Sequence, residues 1–201
     1  MGGAADDGGS VPGVRAFVAV TLPAIRRDAI AAIQRRLMGA PGVKWVEPEN
    51  FHFTLRFLGQ IRRAAVESLC GRLRAGLAGR PAFSLCLSGV GAFPSTQRPR
   101  TVWLGVSQGA RHLEALAAVV EAAVVAEGFP PEERPFRAHL TLGRVKVSPP
   151  PADLARALAA EAAAQVGEMA VGEVVLVRSE LHPSGPVYTP LAVFPLKERR
   201  A

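Results

Sequence analysis

Blocks of apolar residues separated by proline and glycine run along this chain and predict an ordered series of strands and helices. Arg15 to Thr21 (RAFVAVT) is β-rich. Pro23 then opens a helical segment to about Met38, with Ile25, Ala29, Ile33 and Leu37 at helical spacing, and Gly39 to Gly42 ends it. Trp45 to Glu47 and Phe51 to Leu58 read as strands, followed by a helix over about Arg62 to Leu77 and a strand over Ala82 to Val90. After the turn FPSTQRP the order restarts, with a strand from Thr101 to Ser107, a helix from about Ala110 to Glu127, the loop GFPPEERP, and a strand around Phe136 to Val145. A triple proline starts a helix over Ala152 to Gln165, and strands over about Met169 to Leu181 and Val187 to Phe194 flank the turn HPSGP.

This order implies an internal duplication. Arg15 lies 37 residues before His52, and Thr101 lies 38 before His139. Each histidine is followed after 30 residues by another strand start, Ala82 or Met169. Phe93-Pro94-Ser95 and His182-Pro183-Ser184 follow those last strands in parallel. Two similar halves predict pseudo-twofold symmetry and a cleft where equivalent side chains face a common substrate.

The same tetrapeptide pattern stands at both points, as His52-Phe53-Thr54-Leu55 and His139-Leu140-Thr141-Leu142. Strand side chains at i and i+2 share a face, so each histidine projects with its threonine while Phe53, Leu55, Leu140 and Leu142 pack behind. One such histidine is ordinarily structural; two at equivalent places point to chemistry. Imidazole serves as acid or base near neutrality, so a facing pair can divide a proton-transfer cycle. In hydrolysis of a cyclic phosphodiester, a neutral histidine takes a proton from water while a protonated one donates to the departing oxygen. The threonine hydroxyls are suited to hydrogen-bond the nonbridging oxygens. Neither copy carries H-x-x-x-H, H-E-x-x-H or a nearby acidic triad, which leaves a metal site without sequence support, and no G-x-S-x-G elbow marks a nucleophilic serine.

Composition adds limits. The 201 residues are 49% hydrophobic and 20% charged, as in a globular protein of one domain or two packed lobes. Net charge is +7, mostly from arginine, which is compatible with a phosphate or nucleic-acid partner without establishing one. No apolar run is long enough to cross a bilayer, and residues 1–13 read as a flexible leader rather than a secretion signal, so a cytoplasmic protein is expected. Cys70 and Cys86 lack metal or redox spacing and are expected to be buried, reduced thiols.

The chain resembles the two-histidine phosphoesterase superfamily, and more narrowly the RNA 2′,3′-cyclic phosphodiesterase family, also described as 2′-5′ RNA ligase-like. Six segments carry the resemblance in order: RAFVAVTLP from Arg15, VEPENFHFTLRFLG from Val46, GVGAFP from Gly89, WLGV from Trp103, FRAHLTLGR from Phe136 and SGPVYTPL from Ser184. The resemblance implies a bilobal α+β fold with two antiparallel sheets, helices outside and a basic central cleft. It gives residues 14–201 as a single bilobal domain. It matches His52 to the proton donor for the leaving 3′ oxygen and His139 to the acceptor from water, leaving a 2′-phosphate. Thr54, Thr141 and Arg144 match phosphate or substrate contacts. Ala138 stands where relatives commonly have proline, which affects local stiffness.

No metal or other cofactor is expected. The expected partner is RNA ending in a 2′,3′-cyclic phosphate, or a cyclic nucleotide, for a monomeric protein without membrane association. Action on smaller cyclic phosphates, 2′-5′ ligation, or RNA-end binding without catalysis remain open alternatives. Arg137, on the same strand face as His139, is a phosphate contact or a solvated strand end. Phe57 and Tyr188 are base-stacking residues or part of core or rim packing. His112, His182, Arg62-Arg63 and Arg199-Arg200 read as non-catalytic.

Overall fold

The computed structural model describes residues 13–39, 41–183 and 185–198. The leader residues 1–12 and Arg199-Arg200 lie outside them. Nine strands and four α-helices follow in the order β1 (Val14–Thr21), α1 (Ala24–Leu37), β2 (Val43–Trp45), β3 (His52–Ile61), α2 (Arg63–Leu77), β4 (Phe83–Phe93), β5 (Thr101–Gln108), α3 (Ala110–Ala126), β6 (His139–Val145), α4 (Ala152–Ala160), β7 (Gln165–Val171), β8 (Glu173–His182) and β9 (Gly185–Pro195), among the described residues. Two antiparallel sheets result, one ordered β3-β1-β8-β9 and the other β2-β6-β5-β4-β7. The expected α+β class and duplicated architecture hold.

The halves are exchanged, however. β8 from the second half pairs with β1, and β4 from the first half pairs with β5. The helices mix likewise: α2 contacts β9 and α3 contacts β3, whereas α1 contacts β7 and α4 contacts β4. Each layered lobe is therefore built from both halves of the chain. One continuous core cluster runs from Val14 through Leu55 and Leu73 to Leu140, Leu158 and Phe194.

Four expectations are corrected. The apolar stripe of α1 is rotated: Ile30, Ile33, Gln34 and Leu37 are buried, while Ile25 is 68% exposed. The single strand expected over Met169 to Leu181 breaks at Gly172 into β7 and β8, which belong to different sheets. The last helix stops at Ala160, five residues before the expected Gln165, because the chain turns there to enter β7. Cys70 and Cys86 are free but only half-buried.

Candidate active site

Motif strands β3 and β6 lie in different sheets yet approach one another. On both, the core takes alternate residues: Phe53, Leu140 and Leu142 are fully buried and Leu55 nearly so, which leaves His52, Thr54, His139 and Thr141 on the opposite face. A cleft of about 410 Å³ contains His52, Thr54, Thr141 and Arg144 in its lining. His139 stands beside that lining, two residues before Thr141, close enough for Arg144 to act on its charge.

Both motifs contain the same irregularity. On β3, Thr54 lies opposite Ala19 and Arg56 opposite Val18, so Leu55 is an extra residue. On β6, Thr141 lies opposite Trp103 and Gly143 opposite Val102, so Leu142 is extra. A bulge of this kind reverses the facing of everything beyond it. Strict alternation from either histidine would send Phe57 and Arg144 toward the core. Instead both line the cleft, each five residues after its histidine.

The two imidazoles are held alike. His52 Nδ1 lies 2.7 Å from the Asn50 carbonyl oxygen, and His139 Nδ1 lies 2.7 Å from that of Arg137. A carbonyl only accepts, so Nδ1 carries the hydrogen and the neutral ring keeps its lone pair on Nε2. His52 also packs against Phe17, with ring centroids 4.7 Å apart, and against the Tyr188 ring edge at 5.4 Å. Phe93 meets His139 edge-on at 5.0 Å. Burial pushes both imidazoles below their ordinary pKa; the carbonyl bonds oppose this and the Arg144 charge adds to it. Burial raises the Tyr188 phenol, with Arg144 and Arg15 acting the other way.

Glycine makes room on the second-motif side. The Trp103 indole, opposite Thr141, lies over Gly91 and Gly105, where any Cβ would meet its ring. A Cβ on Gly143 would stand 2.7 Å from Trp45 Cε3. Arg137 offers its carbonyl to His139, while its guanidinium lies 5.9 Å from the Phe93 ring centroid and outside the cleft lining. His182 and His112 are exposed, and His112 stacks on Phe83. The partners of the motif threonines, Ala19 and Trp103, align Phe17 rather than Arg15 with Thr101; Val177, opposite Phe17, is then the counterpart of Phe93, opposite Thr101, and His182 is not. Among the described residues, no trio of His, Cys, Asp or Glu is grouped to hold a metal ion. Sequence reasoning missed the Asn50 carbonyl, Phe17, Lys44, Lys146 and Arg15; only Phe17 and Arg15, two residues apart at the start of a strand, gave any hint of a shared cleft face.

The family model for LigT like phosphoesterases matches the chain twice, over residues 20–103 and 104–188. This chain belongs to the LigT like phosphoesterase family. The two matches meet inside β5, three residues past the start of the second half at Thr101. Similar members of this phosphoesterase family include the RNA 2′,3′-cyclic phosphodiesterase of Methanothermobacter thermautotrophicus, 41% identical over 91% of this chain and 99% of that protein. That of Archaeoglobus fulgidus is 40% identical over 90% and 99%, respectively. Among solved LigT-like structures, E. coli LigT complexed with 3′-AMP superposes with a TM-score of 0.75 at 29% identity, covering 92% of this chain and 98% of that one. A Thermus thermophilus structure gives a TM-score of 0.77 at 30% identity, covering 92% and 100%.

Proposed function

We propose that this phosphoesterase hydrolyses RNA 2′,3′-cyclic phosphate ends to 2′-phosphates without a metal, using His52 and His139 as its acid–base pair. The observation that carries this reading is the matched pair of Nδ1-to-carbonyl bonds, which leaves one equivalent nitrogen, Nε2, on each ring for proton transfer. Neutral His139 accepts a proton from water as the water oxygen bonds to phosphorus. The P–O3′ bond breaks, and protonated His52 gives its Nε2 proton to the leaving 3′ oxygen. One water is consumed, and the phosphate stays on the 2′ oxygen. Thr54, Thr141 and Arg144 donate hydrogen bonds to the nonbridging oxygens, where charge concentrates in the transition state. The bound anion raises the His52 pKa back toward the protonated form that the step requires.

The substrate assignment draws on the relatives named RNA 2′,3′-cyclic phosphodiesterase. Incubation with 2′,3′-cyclic AMP and with an oligoribonucleotide ending in a cyclic phosphate, in EDTA, tests it. A 2′-phosphate product is expected from the oligonucleotide. Turnover of neither substrate overturns the function, and turnover abolished by EDTA overturns metal independence.

A further inference from the structure

The cleft is asymmetric in a way its duplicated framework does not require. At the bulge-exposed position after each motif, the sheet carrying β3 presents Phe57, 55% exposed, and the sheet carrying β6 presents Arg144. Phe17 and Tyr188 extend the aromatic wall. Lys44 and Lys146 extend the cationic one; the division is one of majority, since Arg15 of β1 stands on the aromatic side and Trp45 of β2 on the cationic side. The chain has only three lysines, and these are two of them.

Their placement is regular. Lys44 lies directly opposite Arg144 across the β2–β6 ladder, so the two side chains share a face. Lys146 follows Arg144 by two residues, about 7 Å further along the chain and just past the end of β6. Arg36, Arg56, Arg72, Arg156 and Arg178 are all in ion pairs, whereas none forms at Lys44, Arg144 or Lys146 among the described residues. Glu47 is the one carboxylate in the cleft lining. A terminal cyclic phosphate carries one negative charge, which Arg144 and the threonines already meet. Two further unpaired cations on the same track match a second, non-reacting phosphate. Such a phosphate needs positioning rather than planar recognition, and a flexible ammonium supplies that.

Resting on the function proposed above, we propose that Lys44 and Lys146 form a second phosphate subsite that holds the phosphodiester preceding the terminal nucleotide. This subsite makes oligoribonucleotide ends better substrates than mononucleotide cyclic phosphates. The terminal nucleoside then lies toward Phe57 and Tyr188, and the RNA chain leaves along the β2 edge. Lysine on an edge strand also guards against edge-to-edge pairing, so the test must read selectivity rather than solubility.

The experiment compares kcat/KM for 2′,3′-cyclic AMP and for ApApA ending in a 2′,3′-cyclic phosphate, in the parent protein, in Lys44→Ala/Lys146→Ala and in Lys44→Arg/Lys146→Arg. The parent should prefer the trinucleotide. The alanine pair should lower the trinucleotide-to-mononucleotide ratio at least about tenfold and flatten the log–log salt dependence for the trinucleotide by about 0.7, the value for one phosphate contact on a single strand. The arginine pair should keep most of the ratio. A parent without preference, an unchanged ratio, or equal losses on both substrates overturns the subsite. Turnover of neither substrate by the parent defeats the acid–base reading beneath it, a failure distinct from lost selectivity.

Discussion

His52 and His139 are each pulled down the pH scale, first by burial and then by the shared Arg144 charge, and this sets where the site works. In kcat/KM, the acid limb reports the base that must lose its proton and the alkaline limb the acid that must keep it. With both groups depressed, the maximum of the bell expected for the proposed pair should lie on the acid side of the ordinary imidazole value of about 6.5. Arg144→Gln removes one depressing charge, so both limbs should move to higher pH while affinity falls; limbs that stay in place would contradict the shared electrostatic role. His52→Ala and His139→Ala should each lower kcat by about 10²-fold or more, because each removes one of the two proposed proton-transfer partners. Near-parental turnover would take that histidine out of the mechanism. Stability follows the same groups. A depressed folded-state pKa means the unfolded chain binds protons first, so the histidines' contribution is intact above about 6.5 and declines as pH falls through that value. Thermal melts between pH 8 and 5 should show this decline, and His52→Phe should reduce it.

The elements around the motifs show which features local sequence reveals. Alternation in HFTL and HLTL was enough to place the histidines and threonines together, because side-chain facing in a strand is a two-residue rule. Alternation failed at Phe57 and Arg144, because a bulge depends on the partner strand's register and leaves no local mark. The α1 stripe failed for a similar reason. Gln34, 3% exposed, turns inward to donate to the Val46 carbonyl at 2.7 Å and the Leu142 carbonyl at 2.9 Å, so a polar residue occupies a core position. Leu142 is the bulged residue that reverses Arg144, so Gln34 and the Val46 N–H together hold the carbonyl of the second motif's bulge. Gln34→Leu leaves the Val46 carbonyl without its side-chain donor, while the Leu142 carbonyl keeps the Val46 N–H at 2.9 Å, and should cost about 1–3 kcal/mol. That is a fall in melting temperature of several degrees, with a rise in KM as Arg144 loses its fixed position. A lower melting temperature with unchanged KM would leave Gln34 with a purely structural role.

At the scale of the molecule, the repeat was legible because periodicity is written along the chain, whereas the exchange of strands between its halves was not, because it lies in long-range pairing. That exchange carries a folding consequence. Residues 13–100 alone would keep only the β1–β3 pair of one sheet, and β4 would lack both β5 and β7. A two-stranded ribbon is marginal in water. Residues 101–198 would retain β5–β6 and β8–β9 but lose β1 and β4, the strands that join each pair to the rest of its sheet. The core would be split as well, since Phe53 and Leu140 belong to one cluster. Each fragment should therefore show no cooperative near-ultraviolet melt by itself, and mixing the two should restore both that signal and phosphodiesterase activity. The intact chain should unfold in one transition, coincident by far-ultraviolet circular dichroism and tryptophan fluorescence, because Trp45 and Trp103 both sit in the sheet that needs β4. A fragment that melts cooperatively as a monomer would show that the halves are independent lobes and that the exchanged strands are secondary to their stability.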